Sequence, residues 1–249
     1  MAPARRWRPP LSPARPPPKH TRTLDGGARN KNDKDSAIVN VLPDDLILLK
    51  GAHATREDGV CVLEAAAWMA GEEHGDKPKC VCPVISAFVR AWNDILSTDE
   101  ARTRLLKPLL PKIIGTRSTK EVEWTRAMLC VDWSCREWLP TLLEFSPECI
   151  ESAKALRAAK PIQEWADFDI VVPLIIEAQK KAHAAARAAA AAAALAAAWA
   201  SVRDDAWAAE WAAARAAAAA AASETLVAPA VDALRQSTVK LVERMCEVK

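Results

Sequence analysis

The sequence predicts an all-α fold, in which a helical N-terminal domain is followed by a long Ala-rich helical hairpin. Three observations favour helix over sheet. The chain of 249 residues contains only 7 Gly, while Ala and the other strong helix formers Leu, Glu, Lys and Arg are abundant. Apolar residues recur three and four positions apart along most of the chain. Ser, Gly and Pro residues separate these periodic runs, at the positions where helices begin or end.

Residues 1–36 are predicted to form a disordered, basic, Pro-rich tail. They hold nine Lys or Arg and three Asp or Glu, a net charge of +6, so the rest of the chain carries −4 of the total of +2. Six prolines lie between residues 9 and 18, and the tail has little apolar surface to bury. The sparse charges and the single Trp7 favour a solvated extension over a tail that binds an anionic surface.

The composition of the remaining chain argues against several classes of partner. A mildly acidic body offers no basic footprint, so nucleic acid is not an expected partner. No run of 18 or more strongly apolar residues occurs outside the Ala tract, and the charged residues of that tract oppose membrane insertion. Seven Cys in a long chain, without an apolar signal segment, predict reduced thiols and a cytoplasmic location.

A helical domain is predicted over residues 40–165. Its first helix is expected at residues 42–50, because Pro43 and the two Asp that follow suit a first turn. Later helices are marked by Ser three residues before Glu, or by Ser directly before Pro. These pairs are Ser97 with Glu100, Ser118 with Glu121, and Ser146 with Pro147. Pro140 and Pro161 are expected to end the helices that precede them.

The centre of this domain is a predicted helix–loop–helix at residues 57–96. The first helix should span about 60–70 and end at Gly71, a residue suited to a C-terminal cap. A polar loop over 71–82 then leads to a second helix that Pro83 opens. A short connection between two amphipathic helices predicts an antiparallel pair.

The last predicted unit, residues 174–248, consists of a long Ala- and Trp-rich helix and a closing amphipathic helix. From residue 182 to residue 222, 28 of 41 positions are Ala and none is Gly or Pro. Three Trp residues lie eight and four positions apart on one broad face: Trp199, Trp207 and Trp211. The closing helix, about 229–247, could cover this face by folding back as a hairpin. A second copy of the chain or another protein partner could cover it instead, or the helix could bind nothing.

Candidate metal ligands concentrate in the 57–96 run. Cys and His side chains suit zinc, which is therefore the cofactor to consider, although no complete motif leads us to expect one. The candidates are Cys61, His74, Cys80 and Cys82. Their spacing, Cys-x12-His-x5-Cys-x-Cys, departs from the closely spaced pairs that aim two ligands at one ion. In the structural alternative, Cys61 packs as a small apolar side chain and His74 lies in a solvated loop.

No catalytic residue is firm, but the chemistry of the loop provides four candidates: Cys61, Glu64, His74 and Asp76. Cys61 begins a predicted helix whose dipole would lower a thiol pKa, and His74 could take its proton. Glu64 and Asp76 could instead act with His74 in acid–base chemistry or hold a hard cation. Phosphate-binding loops, dinucleotide-binding Gly motifs and nucleophile elbows do not occur in the sequence.

The run EDGVCVLEAAAWMAGEEHGDKPKCVCPVISAFVRAWNDIL, with RLLKPLLPKIIGTRST after it, resembles a family of uncharacterised proteins from bacteria and their phages. The resemblance covers residues 46–165, and the Ala- and Trp-rich helix with its short closing helix is also similar to that family's tail. The Pro-rich start departs from the pattern. The resemblance implies no reaction. It supports the domain boundaries and the choice of four candidate site residues, Glu64, His74, Asp76 and Cys80.

These observations favour a non-enzymatic helical interaction or structural protein that is phage-related. An extended helix with a Trp stripe, in a chain without a catalytic signature, is the feature that favours it. The alternative is a metal- or cysteine-dependent enzyme with its site in the 57–96 hairpin, because loops between fixed helices often carry function. The sequence leaves open whether the chain is an enzyme.

Overall fold

The structure, a computed structural model of the chain, describes residues 38–181 and 228–249. Within these ranges the chain is helical and forms no strand, which confirms the all-α fold. The predictions made for the tail at 1–36 and for the Ala-rich segment fall outside the described residues. They include the proposed contact face of Trp199, Trp207 and Trp211.

The described helices follow one another with short connections. In order they are α1 (Val62–Met69), α2 (Pro83–Ile95), α3 (Asp99–Leu106), α4 (Leu110–Ile113), α5 (Lys120–Trp133), α6 (Leu139–Leu143), α7 (Ile150–Ala158), α8 (Trp165–Lys181) and α9 (Ala228–Glu247). Short 3-10 turns at Lys107–Leu109 and Pro147–Cys149 precede α4 and α7. None of the helices in these ranges has the length and apolar character needed to cross a bilayer.

The segment 42–50 is not a helix, and that prediction is wrong. Its backbone donors bond to distant parts of the chain. The N–H of Leu48 donates to Thr103 Oγ1 at 2.9 Å, and the N–H of Leu49 donates to the carbonyl oxygen of Val60 at 2.9 Å. Leu48 is fully buried as a result. These tertiary contacts take the donors that a helix would use, so they override the first-turn signal of the sequence.

Helices α3 and α5 begin after a Thr cap, one residue later than the predicted Ser cap. The hydroxyl of Thr98 accepts from the N–H of Ala101 at 3.2 Å, and that of Thr119 accepts from the N–H of Val122 at 3.5 Å. Ser and Thr are both favoured at this position. Two neighbouring hydroxyl residues therefore leave the first residue of the helix undecided in the sequence.

Pro140 does not end the helical path that begins at Lys120. A π-helical turn at Ser134–Trp138 connects α5 to α6, and Pro140 lies in the first turn of α6. The first N–H groups of a helix have no acceptor within that helix. A proline in the first turn of α6 therefore removes no hydrogen bond of α6. The path continues to Leu143.

The core of the fold surrounds α2 and α5, and the C-terminal helix α9 completes it. Phe88 and Trp133 meet edge to face with ring centroids 6.0 Å apart. On α9, Leu241, Val242 and Met245 are fully buried, and the helix packs on α2, α4, α5 and α6. The described residues thus belong to one compact unit. Helix α8 begins at residue 165, the predicted end of the helical domain, and packs on α7.

Candidate functional site

The predicted helix–loop–helix at residues 57–96 is present as α1, a loop and α2. Gly71 ends α1 with a positive φ of 69°. Its N–H bonds to the carbonyl oxygen of Trp68 at 3.0 Å, and the N–H of Glu72 bonds to that of Ala67 at 2.8 Å. This pair of bonds is the Schellman arrangement, and it confirms the predicted end of the helix. The loop that follows lies against the start of α1.

Glu64 is the centre of the polar contacts in this region. Its side chain is fully buried in the first turn of α1. One carboxylate oxygen accepts from the backbone N–H of His53 at 2.6 Å. The other accepts from the N–H of Cys61 at 2.7 Å and lies 2.8 Å from His53 Nδ1. The carboxylate therefore joins the start of α1 to the segment that precedes it.

The pKa of Glu64 is lowered from its ordinary value of 4.5. Burial alone would raise it, but the hydrogen bonds from the backbone of His53 and Cys61 and from the His53 side chain together outweigh burial. The first turn of a helix is also a favourable place for a negative charge. A buried anion at this position is consequently stable at neutral pH.

His53 was missed by the sequence reasoning, and it is the principal partner of Glu64. Because its Nδ1 faces a carboxylate, this nitrogen carries the proton and Nε2 is left on the other side of the ring. The ring packs closely on Gly59, where a Cβ atom would lie 3.1 Å from Nε2. Nothing near His53 in the sequence forms a motif, so only the folded chain reveals the pair.

His74 joins the same group from the loop between α1 and α2. Its Nε2 lies 3.0 Å from the carbonyl oxygen of His53 and 3.9 Å from a carboxylate oxygen of Glu64. The short contact is to a carbonyl, so His74 donates through Nε2. The Glu64 hub, defined as Glu64, His53 and His74, thus ties three stretches of backbone together.

Asp76, a predicted candidate, does not belong to the Glu64 hub. Its carboxylate lies 3.0 Å from Nε of Arg90 on α2, and its carbonyl oxygen accepts from Arg90 Nη2 at 2.6 Å. This ion pair fixes the second half of the loop against α2. The structure therefore separates the acidic candidates into two distinct places.

The cysteines that were predicted as metal ligands lie in the core or at the starts of α1 and α2. Burial, with a smaller effect from the Glu64 carboxylate, raises the pKa of Cys61 to about 12. Burial and the charge of Glu72 raise the pKa of Cys80 to about 12 as well. Cys82 is fully buried, and its N–H donates to Thr116 Oγ1 at 3.0 Å at the start of α2.

The candidate zinc ligands are not arranged as a metal site within the described residues. Among residues 38–181 and 228–249, no group of three or more His, Cys, Asp or Glu side chains is arranged to hold a metal ion. The proposed zinc ligands Cys61, His74, Cys80 and Cys82 are thus not gathered into one group. In these same ranges Cys61 and His74 share no hydrogen bond, and a thiol with a pKa near 12 stays protonated at neutral pH. Elemental analysis of the purified chain remains the test of zinc.

The arrangement is best suited to holding loops in place. The three hydrogen bonds that Glu64 accepts all come from the neighbouring backbone or from an imidazole that is 13% exposed. A carboxylate that orients an imidazole can support a general base, but His53 Nε2 lies against Gly59 instead of a cavity.

Comparison with protein-family models, with curated proteins and with solved structures gives no match to this chain. The resemblance to a family of bacterial and phage proteins therefore stays a prediction.

Proposed function

We propose that this chain is a non-enzymatic helical interaction protein, phage-related and cytoplasmic, that presents residues 182–227 to a second copy of itself. The observation that carries this proposal is the anchoring of both flanks of that segment. Helix α8 is described as far as Lys181 and is buried through Val171, Ile175 and Ala178. Helix α9 is described from Ala228 onward and is buried through its apolar face. A body that fixes both ends of a segment is suited to presenting it.

The sequence of residues 182–227 supports a second copy of the chain as the partner. It carries three of the ten Trp of the chain, spaced for one face of a helix, among residues that are mostly Ala. Small Ala side chains allow helices to approach closely, and Trp supplies most of the contact area in many interfaces. A second copy offers the same complementary features, as two-fold self-association requires.

Two further observations support the non-enzymatic and cytoplasmic parts of the proposal. The two carboxylates and the one thiol nominated for catalysis, Glu64, Asp76 and Cys61, serve helix capping, loop contacts or the core. All seven cysteines lie in the described ranges and none of them forms a disulfide, which is typical of proteins in a reducing compartment.

The test is the oligomeric mass of the full chain with all three Trp changed: Trp199→Ala, Trp207→Ala and Trp211→Ala. We expect the wild type to be an oligomer by light scattering and this triple variant to be a monomer. A matched control changes Arg187, Arg203 and Arg215 to Ala, which alters three residues of the same segment and keeps the Trp. A monomeric wild type would refute self-association, and a parallel pull-down with both variants would then test another protein as partner.

An experiment that deletes the Ala-rich segment must retain α9, because this helix is part of the core. Removing residues 174–248 would strip Leu241, Val242 and Met245 from the core and expose the surfaces they cover. We therefore propose an internal deletion of 182–227, bridged by flexible Gly/Ser linkers of several lengths. The body should keep its near-ultraviolet circular dichroism, and the mass should fall to that of the monomer.

A further inference from the structure

A small cavity opens beside the start of α2, where the second half of the loop meets this helix. Its volume is about 170 Å³, and Lys77, Pro83, Ser86, Arg90 and Arg117 contribute to its wall. Liquid water occupies roughly 30 Å³ per molecule, so the cavity has room for one small polyatomic ion with some water. We refer to it as the α2 cavity.

Positive charge dominates the α2 cavity. Lys77 and Arg117 are exposed at its rim, and neither forms an ion pair with a described acidic residue. Arg90 is paired with Asp76, but Nε, at 3.0 Å from the carboxylate, lacks hydrogen-bond geometry, and Nη1 has no hydrogen bond within the described ranges. Three cations and one carboxylate give a local charge of about +2, which matches a dianion.

The start of α2 adds a second source of positive potential. This helix has 13 residues and no acidic residue in its first turn. Cys82 at its N-cap makes no side-chain capping bond, and Pro83 lacks an N–H. Uncapped N–H groups and the helix dipole together favour an anion at such a position.

Ser86 is the independent sign that the cavity is shaped for a ligand. Its residue surface is only 6% exposed, and it contributes to the cavity wall from the first turn of α2. Its hydroxyl makes no hydrogen bond to another described residue, so it is available to a ligand in the cavity. A bound oxyanion would accept this O–H.

The segment that bears Arg117 is fixed relative to the loop that bears Lys77. The N–H of Arg117 donates to the carbonyl oxygen of Cys80 at 3.1 Å. Thr116 is held by Cys82 N–H on one side, and its carbonyl oxygen accepts from buried Arg126 on the other. The backbone around the cavity is thus set before any ligand arrives, which reduces the ordering cost of binding.

From these observations we infer that the α2 cavity binds one phosphate group, as inorganic phosphate or as the phosphomonoester of a small molecule. The rim cations and Arg90 supply charge-assisted bonds, Ser86 donates its O–H, and the helix start stabilises the second negative charge. This site does not depend on the proposed function, because all its residues lie in the body at 38–181.

The test is titration of the full chain with inorganic phosphate in low-salt buffer, followed by calorimetry and by thermal stability. We expect saturable binding by the wild type, and a rise in melting temperature with phosphate. The double variant Lys77→Ala with Arg117→Ala should bind at least 10-fold more weakly, because it loses two charge-assisted contacts. Ser86→Ala should bind about 2- to 10-fold more weakly, since it loses one hydroxyl donor without any change of charge.

Lys79→Ala is the matched control, since Lys79 is exposed in the same loop and does not contribute to the cavity wall. It should bind phosphate like the wild type. A parallel titration with glycerol 3-phosphate distinguishes the two possible ligands. Tighter binding of glycerol 3-phosphate than of inorganic phosphate would indicate that the ligand is a phosphomonoester, and equal or weaker binding would indicate inorganic phosphate.

Absence of saturable binding of either ligand by the folded wild type would overturn the inference. So would an equal loss in the Lys79→Ala control and the double variant, which would indicate unspecific attraction. An unchanged affinity in Ser86→Ala would contradict the placement of the anion at the start of α2.

Discussion

The Nε of Arg126 donates a hydrogen bond of 2.8 Å to the carbonyl oxygen of Met245, 119 residues later in the chain. Its two Nη atoms donate to the carbonyl oxygens of Thr116 at 2.5 Å and Val248 at 2.8 Å. A guanidinium at the C-terminal end of α9 thus satisfies carbonyl groups that the helix itself leaves unpaired. Its positive charge also complements the helix dipole.

We predict that Arg126→Ala strongly destabilises the fold. The change leaves three carbonyl groups without their donor, and Arg126 is only 2% exposed, so water cannot readily replace it. The expected loss is on the order of 3 kcal/mol or more in the free energy of unfolding, measured by urea denaturation. Arg104→Ala is the control, since Arg104 is exposed. A loss below about 1 kcal/mol for Arg126→Ala would contradict the role of this residue in holding α9.

We predict that Ser237→Ala destabilises the contact between α9 and the π-helical turn. Ser237 Oγ accepts from Trp133 Nε1 at 2.7 Å and donates to Glu137 Oε2 at 2.7 Å. Without the hydroxyl, a buried indole N–H has no acceptor, so the cost should be about 1–2 kcal/mol. Urea denaturation followed by Trp fluorescence measures it. Ser97→Ala, at an exposed position, should change stability by less than about 0.5 kcal/mol.

We predict that Glu64 makes stability depend on pH in the acid range. Its pKa in the folded chain lies below the ordinary value of 4.5, so the unfolded chain binds its proton more tightly. The resulting stabilisation is fully present above about pH 4.5 and is lost as the pH falls through the lower, folded pKa. The advantage of the wild type over Glu64→Gln should be about 2–3 kcal/mol at pH 7 and should shrink towards pH 3.

Glu73→Gln provides the control for this experiment, because Glu73 is an exposed carboxylate of the same loop. Its free energy of unfolding should follow that of the wild type from pH 3 to pH 7. A difference between wild type and Glu64→Gln that grows on acidification would refute the assigned direction of the pKa shift.

We predict that the native chain reacts slowly with thiol reagents at neutral pH. Burial raises the pKa of Cys61 and Cys80 to about 12, and it also raises the pKa of Cys130 and Cys135. Labelling with a chromogenic disulfide should therefore be slow in the native state and rapid for all seven thiols after denaturation.

If one thiol reacts ahead of the others, it should be Cys80, which is partly exposed while the other six cysteines are buried. Peptide mapping of the first labelled site provides the measurement, and Cys80→Ala is the matched variant. Fast and selective labelling of Cys61 in the native chain would instead revive the nucleophile hypothesis.

The parts of the fold that sequence analysis predicted well depend on local signals. Gly71 must adopt a positive φ where α1 ends, and Pro83 suits the first position of α2, so each marks its boundary without help from distant residues. The first residues of α3 and α5 were displaced by one because two adjacent hydroxyl residues could each serve as a cap.

The parts that sequence analysis missed depend on contacts between distant residues. His53 pairs with Glu64 across a loop, and no spacing rule connects the two. The apolar face of α9 was recognised, but an apolar stripe does not identify the surface that covers it. Likewise, the α2 cavity combines Lys77 with Arg117, which are brought together only by the fold.

The contact between Arg126 and Met245 also constrains how the chain is made. A ribosome releases the N-terminal part first, at roughly 5–20 residues per second. The 119 residues that separate these partners therefore take roughly 6 to 24 seconds to synthesise. During that interval Arg126 lacks two of its three carbonyl partners, those of Met245 and Val248, and the surface that Leu241 and Val242 will cover has no native partner on the nascent chain. Helix α9 completes the core only after the rest of the described body has been made, so a premature stop codon before it would yield a product that exposes its core to chaperones and proteases.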